Sequence, residues 1–564
     1  MNGSEAQTLI ENSENLDTTY LGTRESQMGV EENVGITDAN RLLNTVNIGP
    51  IGHGKTQMMV HAALQDIHKG KGVCLITPKG DAIQQLLSKI PEDRLDDVIY
   101  LNPNEDPVTK INVLEPHIHD GMTRAQMENQ REIIVSDVVD LFKRYSQEWG
   151  DRFGRVLKAL LRAHIDQNIH YNESRTLVDV YDTVIDEEAL IDLIDRTDNR
   201  FISEQLVRVK ERLTDYELDP LQQRLDDFVM NDTVVRVVDT EESAVDFHDV
   251  VNNQKILLVD VQKGHIGSDA AQLVGSIVIT QLWAASQARI SLPEEERDPF
   301  LLYVDEVHNF AGEGSNFAKI LAEAREYGLG LWLASQYMNQ LEAEMRRSIL
   351  NNCRNKIFFN PSGSEDVPKI VNMLQGVEKQ DLQGLGKFRA VMQQPSTDEY
   401  NGAVTFDTLP PWESERDEQE LEKIKVESTV ADEEDEGEMK RQWRQDFDRD
   451  GPQGKMVHTR LLEDAKEYLE KRPEVQQVNI LHQEPGVDRP DGEVIKINGS
   501  VANLEAECQT ISKPAKVLKN LKKAVENDRK CIFAVSDIDT DLLESIIEDP
   551  VNRLGDTHED EEGS

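Results

Sequence analysis

The segment 49–56, with the sequence GPIGHGKT, constrains the fold of this chain more strongly than any other part of it. It fits the pattern GxxxxGK[ST], in which successive backbone N–H groups of a glycine-rich loop surround phosphate oxygens. The preceding residues NTVNIG indicate a buried strand, and the following KTQMMVHAALQDIHKG has the periodicity of a helix. A strand, this loop and a helix in that order predict an α/β domain that binds a phosphate group.

The residue types in this loop match that chemistry. Gly49, Gly52 and Gly54 let the backbone turn its N–H groups toward the ligand, and the start of the helix adds the positive end of its dipole. Lys55 is expected to reach the β- and γ-phosphates of ATP, and the Thr56 hydroxyl is expected to bind Mg²⁺. An ordinary glycine-rich turn is the alternative, which the flanking strand and helix disfavour.

A second half-site is predicted where the apolar run FLLYV ends in two carboxylates. Asp305 is expected to hold Mg²⁺, and Glu306 is expected to polarise an attacking water. The next predicted strand, LGLWLAS, ends just before Gln336, whose amide would sense the γ-phosphate or hold the water. Ligands of open α/β sheets bind at the carboxyl ends of the strands, so these groups should converge on the loop. Two exposed acids after a core strand are the alternative interpretation.

Two arginines are candidates for stabilising charge on a transferred phosphoryl group. Arg325 ends a predicted helix and could reach the site of a neighbouring subunit as an arginine finger. The alternative is a cation that interacts with the end of its own helix. Arg354 is the second candidate, again with a purely structural alternative.

Segments with alternating strand and helix patterns lie on both sides of a long stretch with helical patterns only. These changes of pattern predict the boundaries between segments of the chain. The runs CLITP and KILLVDV predict buried strands, and the acidic stretch ADEEDEGE lies in a predicted linker. The expected boundaries are 1–43 for an N-terminal lead-in, 44–114 for the first part of the core, 115–235 for an all-α insert, 236–412 for the second part of the core, 413–455 for the linker, 456–550 for a second α/β domain and 551–564 for a disordered acidic tail.

Composition limits the setting in which the chain works. The 564 residues include 107 acidic and 61 basic side chains, which gives a formal charge of −46. The acid is spread along the chain, which favours the high-salt cytoplasm of a halophile over a partner-repelling or calcium-binding surface. Four scattered cysteines disfavour a disulfide framework or a structural zinc site. No apolar run approaches the ~18 residues of a membrane span, and the polar N-terminus does not fit a signal peptide, so a cytoplasmic location is expected.

After the phosphate loop the motifs TPKGD, KILLVDVQKG, YVDEVHNF, ILAEAREYGLGLWLASQY and ILNNCRNKIFF follow in order, with a helical stretch after the first. This order resembles the HerA–FtsK superfamily of ring-forming DNA-pumping ATPases. Within it the chain is most similar to the type IV secretion and conjugation coupling ATPases (TraG/TraD-like), over residues 20–412. One departure is Thr77, where the family often has aspartate. Another is that N-terminal membrane helices, common in coupling ATPases, do not appear in this sequence.

The resemblance implies a RecA-like P-loop NTPase core with an all-α insert. It also implies ATP and Mg²⁺ bound between the subunits of a hexameric ring that moves DNA during conjugation. Membrane anchoring would then be left to a membrane-embedded secretion partner. A genome-packaging or DNA-repair pump of the same superfamily is one alternative. A nucleotide-switched DNA-binding scaffold with negligible turnover is another.

The segment 456–550 predicts a second, smaller site. EVIKI and VANLEAECQ indicate two strands, and Glu505 and Glu507 share one face because side chains alternate along a strand. With Asp491 they could bind Mg²⁺, a hard cation that prefers oxygen ligands. The pattern resembles the PD-(D/E)xK restriction-endonuclease-like fold, although Glu507 replaces the usual lysine. An active nuclease, a degenerate DNA-binding copy and an unrelated α/β domain all remain open.

Basic residues concentrate in two segments, 143–162 and 513–523, in an otherwise acidic chain. The second predicts contact with phosphate. The first interleaves cations with Trp149 and Phe153 and could touch DNA. The alternative for it is an amphipathic helix whose cations form ion pairs and whose aromatic rings are buried.

Overall fold

The computed structural model describes most of the chain up to residue 429 and short stretches beyond it. The described residues are 1–429 except 27, 106–107, 119–121, 146–150, 172, 213–220, 224, 227, 312–316, 362–364, 396–401 and 414–415, and then 465–466, 469, 471–472, 475–480, 492–497, 500–506, 522 and 529–534. The chain separates into two compact units, Met1–Gly437 and Glu438–Ser564.

The strands of the first unit are β1 Thr18–Glu25, β2 Glu31–Thr37, β3 Thr45–Ile48, β4 Gly72–Thr77, β5 Val98–Leu101, β6 Ile256–Asp260, β7 Phe300–Val304, β8 Leu329–Ser335, β9 Asn355–Phe359, β10 Arg389–Gln393 and β11 Val404–Thr408. Those of the second unit are β12 Val475–Ile480, β13 Gly492–Lys496, β14 Val501–Ala506 and β15 Lys530–Ala534.

The α-helices among the described residues are Gly3–Glu11, Asp38–Arg41, Lys55–His68, Asp81–Leu87, Arg124–Tyr145, Asp151–His170, Leu177–Ile185, Glu187–Asp195, Arg200–Arg212, Asp232–Val238, Phe247–Asn252, Lys263–Ile266, Ser268–Ala288, Phe317–Glu323, Ala343–Asn352, Val367–Val371, Lys379–Gln383 and Glu418–Ser428. Between residues 124 and 238, all the regular secondary structure of the described residues is helical. None of the helices in the described part of the chain is long and apolar enough to cross a membrane.

The strands of the first unit form one sheet in the order β2-β1-β11-β10-β9-β3-β8-β7-β4-β6-β5. From β9 to β5 every neighbouring pair is parallel, which confirms the large parallel sheet predicted from the sequence. From β2 to β9 the pairs are antiparallel, so the polar N-terminal residues extend the sheet rather than preceding it. The carboxyl ends of the parallel strands lie at one edge, where a ligand site is expected.

The parallel part of the sheet is buried on both faces because its strands are apolar at most positions. Alternate residues of β4 enter different cores: Val73 and Leu75 pack on one face, and Cys74 and Ile76 on the other. The helix Lys55–His68 covers the first face, and the helix Ser268–Ala288 covers the second together with the helical insert. Helices on both faces of a parallel sheet leave only the strand ends open to ligands.

A buried polar cluster ties the elements of the site together. The Arg41 guanidinium is 2% exposed and donates to Asp66 Oδ2 at 2.8 Å and to the Tyr303 hydroxyl at 2.5 Å. The Tyr303 hydroxyl donates in turn to Asp66, and Arg41 lies 4.9 Å from the centroid of the Trp332 ring. Asp66 belongs to the helix after the loop, Tyr303 to β7 and Trp332 to β8, so one side chain joins all three.

The second unit holds a four-stranded sheet in the order β12-β13-β14-β15 among its described residues. β13 pairs with β14 antiparallel, and β14 pairs with β15 parallel. The two strands predicted from EVIKI and VANLEAECQ therefore exist and are neighbours. The small core of this sheet contains Val478, Val494 and Leu504.

Candidate nucleotide site

The loop between β3 and the helix Lys55–His68 has the backbone geometry of a phosphate cradle. Gly52 and Gly54 have φ of +77° and +103°, values that side chains with a Cβ rarely adopt. At Gly49 an added Cβ would lie 2.5 Å from Cβ of Phe359, which no real contact allows. The Gly49 N–H donates to the Ser335 carbonyl at 3.2 Å and fixes the start of the loop against β8.

Lys55 opens the helix and points back into the loop. Its side chain is buried, and Nζ donates to the Pro50 carbonyl at 3.2 Å. Burial lowers the pKa of Lys55, while the nearby carboxylates of Glu306 and Asp305 oppose that shift. Thr56, the next residue, is half-buried in the first helical turn.

Asp305 follows β7 and is 1% exposed. Its Oδ1 accepts the Glu306 N–H at 3.0 Å, whereas Oδ2 is buried without a hydrogen-bond partner among the described residues. Burial raises the pKa of Asp305, and the neighbouring Glu306 adds to the effect. A buried carboxylate oxygen left without a donor costs free energy unless a cation or an ordered water satisfies it, so the residue fits a Mg²⁺ site.

Glu306 is the centre of a polar cluster at the edge of the sheet. Its φ of +47° is left-handed, and its side chain is buried. Oε1 accepts from Gln336 Nε2 at 2.6 Å and from the Lys79 ammonium, while Oε2 accepts no hydrogen bond in the described structure and lies 3.6 Å from His308 Nδ1. Burial raises the pKa of Glu306, but the hydrogen bonds from Lys79 and Gln336 outweigh it and the pKa is lowered. The residue is therefore held as a carboxylate with one oxygen free.

The order of the strands brings these groups together. β8 lies between β3 and β7, with Ser335 opposite Ile48 and Val304 opposite Leu333. The residues after each strand therefore meet: the loop after β3, the two acids after β7 and Gln336 after β8. The geometry suits binding a phosphate chain beside a cation, with a carboxylate placed to accept a proton from water.

Arg325 and Arg354 lie away from this cluster. Arg325 is exposed and precedes β8, so the whole strand, about 20 Å long at ~3.3 Å per residue, separates it from Gln336. Arg354 is exposed at the start of β9 and is likewise at the amino edge of the sheet. Neither can reach the loop of its own chain.

Lys79, within the motif TPKGD, is a functional candidate that the sequence pattern alone does not identify. It follows β4, which is next to β7 in the sheet, and its ammonium pairs with Glu306. The following Gly80 has φ of +66°, and an added Cβ would collide with Gln262. The motif TPKGD lies at the end of a predicted strand, which is a signal for a ligand site. The sequence does not show, however, that this strand is adjacent to the one that ends at Asp305.

Asp260 is a second missed residue at the same edge. It ends β6, is buried, and its Oδ2 accepts from the Tyr100 hydroxyl at 3.1 Å and from Gln262 Nε2 at 3.0 Å. Burial raises its pKa, and Oδ1 has no hydrogen-bond partner among the described residues. Gln262 thus links Asp260 to the backbone turn that follows Lys79.

The metal site predicted in the second unit falls largely outside the described residues. Asp491 and Glu507 are not described, and of Glu505 only the backbone is, within β14. In the part of the chain that the structure describes, no group of three or more His, Cys, Asp and Glu side chains is arranged to hold a metal ion.

Two cations of the first basic segment form ion pairs in the described structure. Lys143 pairs with Asp140 at 2.6 Å, Arg162 pairs with Glu132 at 2.7 Å, and Phe153 is buried. These contacts favour the amphipathic helix over a DNA-binding surface. Trp149 and nearly all of 513–523 lie outside the described residues.

Comparisons with known proteins agree with this geometry. Residues 299–382 match the family model described as the TraM recognition site of TraD and TraG. The fold is similar to the bacterial conjugative coupling protein TrwBdeltaN70, with a TM-score of 0.50 and 11% identity over 73% of this chain and 93% of that one. The plasmid coupling protein TrwB in complex with ADP and Mg²⁺ is similar with a TM-score of 0.50 and 12% identity, over 74% of this chain and 94% of that one.

VirB4 of Thermoanaerobacter pseudethanolicus gives a TM-score of 0.45 and 15% identity over 72% of this chain and 98% of that one. A search of curated protein sequences finds no match. The first unit of this chain therefore has the P-loop α/β fold of the conjugative coupling protein TrwB, and its strand-end acids and Gln336 lie in the segment that matches the TraD and TraG family model.

Proposed function

We propose that this chain is an ATP-driven DNA translocase of the conjugative coupling, type IV secretion kind. The observation that carries the proposal is the convergence of the loop 49–56, Asp305, Glu306 and Gln336 at one edge of a TrwB-like sheet. The family match at 299–382 and the ADP and Mg²⁺ in TrwB support the same interpretation. Conjugation is thereby favoured over genome packaging and DNA repair.

The residues of the site divide the work of ATP hydrolysis. Lys55 and the loop N–H groups hold the phosphates, and Thr56 with the free oxygen of Asp305 would hold Mg²⁺, which offsets negative charge when bound. Glu306 orients a water and accepts its proton through the free Oε2, while Gln336 holds the carboxylate and senses the γ-phosphate. Arg325 is exposed and far from its own loop, so a neighbouring subunit would have to supply it.

The proposed working state is a hexameric ring around DNA in a high-salt cytoplasm, coupled to a membrane-embedded secretion partner. ATP at the subunit interfaces would drive movement along the DNA. In the second unit, Asp491, Glu505 and Glu507 would bind Mg²⁺ and cleave or only bind DNA. Full-length protein and its Asp491→Ala variant, incubated with DNA and Mn²⁺, test cleavage; equal nicking by both would contradict this role.

The test of the motor is ATPase rate with and without DNA in molar KCl, together with a mass measurement of the assembly. Wild type should be stimulated by DNA, and Lys55→Ala and Glu306→Gln should abolish hydrolysis. Glu306→Gln should retain ATP binding because it keeps the shape of the side chain, whereas Lys55→Ala should not. DNA-stimulated hydrolysis that neither substitution changes would contradict the motor. DNA binding that responds to ATP without turnover would indicate a nucleotide-switched scaffold.

A further inference from the structure

We infer that the phenyl ring of Phe388 is the stacking surface for the base of the bound nucleotide. The inference rests on the proposed function, because it concerns the base of the nucleotide whose phosphates the loop 49–56 is proposed to hold. Phe388 precedes β10 and is 52% exposed, so much of one large apolar side chain faces solvent. Exposed rings of this kind are used to stack nucleic-acid bases, because every base has a π face.

Sheet topology places this ring beside the phosphate loop. β10 runs antiparallel to β9, which is parallel to β3, so the start of β10 lies at the same edge as the end of β3. A Cβ built on Gly54 would lie 3.1 Å from Cδ1 of Phe388 and 3.7 Å from Oγ1 of Thr408. The ring therefore rests against the loop at the residue just before Lys55.

The direction of the triphosphate follows from the positions of the catalytic groups. Asp305, Glu306 and Gln336 follow β7 and β8, on one side of β3, so the γ-phosphate and the cation belong there. β9 and β10 are on the other side of β3. A nucleotide whose γ end points toward β7 and β8 then directs its ribose and base toward Phe388.

The backbone at this position is unfavourable for a bulky residue. Phe388 has φ of +62°, in the left-handed region that glycine adopts at little cost. Its carbonyl accepts the Thr408 N–H at 2.8 Å, which fixes the strained turn to β11. An exposed ring held in a strained turn against the loop is what a preformed ligand surface requires.

The experiment compares ATP with inorganic tripolyphosphate, which has the phosphates but no base. Both are titrated into the full-length protein, its Phe388→Gly variant and its Phe388→Trp variant. Glycine suits the positive φ, so the fold should persist. We expect Phe388→Gly to weaken ATP binding about tenfold and to leave tripolyphosphate binding unchanged. Phe388→Trp should keep the ATP affinity, and its fluorescence should change with ATP but not with tripolyphosphate.

Phe201→Ala is the matched control, because Phe201 is 76% exposed on a helix of the insert. It should alter neither affinity. Equal effects of Phe388→Gly on the two ligands, or no effect on either, would overturn the stacking role. If Lys55→Ala abolishes ATP binding while Phe388→Gly does not weaken it, the stacking inference fails and the proposed function stands. If the wild-type chain binds no ATP, both fail.

Discussion

At the scale of single residues, the site depends on how one carboxylate is held. Glu306 sits in a left-handed turn just past β7, where two donors share Oε1 and leave Oε2 free. A base must be deprotonated to accept a proton from water, and buried carboxyl groups tend to stay protonated. Lys79 and Gln336 oppose that tendency and lower the pKa of Glu306, as its proposed role as a base requires.

Replacing Lys79 with methionine should shift the pH dependence of ATP hydrolysis. The Lys79 ammonium lowers the pKa of Glu306, so without it burial dominates and the pKa of Glu306 rises. The acidic limb of the kcat/KM profile should then move to higher pH. Lys423→Met, at an exposed lysine on the helix Glu418–Ser428, is the control. An unmoved acidic limb in Lys79→Met would show that Lys79 does not set the ionisation of Glu306.

At the scale of elements, adjacency in the sheet does most of the positioning. β3, β8 and β7 are consecutive in the sheet although β3 is far from the other two in sequence, and each strand has its site residue just after its carboxyl end. The Arg41 cluster joins two of these strands, β7 and β8, to the helix Lys55–His68 that follows the phosphate loop. Displacement of any one element would therefore alter the distance between the phosphate loop and the acids.

Arg41→Met should destabilise the first unit by about 3–5 kcal/mol, because it leaves Asp66 buried without its cation. Arg41→Met combined with Asp66→Asn should recover part of that loss, since no buried charge then remains unpaired. Chemical unfolding of the three proteins measures both effects. A double variant as unstable as the single one would mean that the charge on Asp66 is not the cause.

Asp137 lies in the helix Arg124–Tyr145 beside the helix Ser268–Ala288, and burial raises its pKa to about 7, with Asp140 adding to the effect and Lys319 opposing it. The folded state therefore keeps a proton that the unfolded chain releases near pH 4, and stability falls as pH rises between the two values. Asp137→Asn should raise the free energy of unfolding at pH 8 by at most about 4 kcal/mol. The gain at pH 4 should be small.

Urea unfolding at pH 4 and pH 8 provides the measurement. The control is Asp195→Asn, at an exposed position. A gain of equal size at both pH values would trace the effect to packing rather than to ionisation.

Sequence patterns predicted the strands and helices themselves better than they predicted which strands lie next to each other in the sheet. The loop, the strand ending at Asp305 and the strand ending at Gln336 follow from local composition and order, and so does the parallel sheet. The pairing of Lys79 with Glu306 depends on β4 lying next to β7, which no local pattern encodes. Asp260 was missed for the same reason, since its partner Tyr100 is on β5. The distance of Arg325 from its own loop follows from the direction of β8, which becomes certain only when the strands are paired.

At the scale of the whole molecule, the formal charge of −46 leads us to expect that the chain works in concentrated salt. Like charges on a compact surface repel one another, and molar salt shortens the Debye length to about 3 Å. We expect the fold and the ATPase activity to be lost in dilute buffer and retained in molar KCl. Circular dichroism and ATPase rate over a KCl series measure this, with a chloride-free potassium salt as the control for ion identity. Equal activity at low and high salt would contradict it.

The antiparallel pairing of β1 with β11 has a consequence for biosynthesis. Gly22 lies opposite Thr408, so a strand made at the start of synthesis waits for its partner until nearly four hundred further residues have been added. Until then the hairpin of β1 and β2 exposes an unpaired edge to the rest of the nascent chain. The first unit can therefore complete its sheet only after β11 has left the ribosome, which can occur while the second unit is still being synthesised.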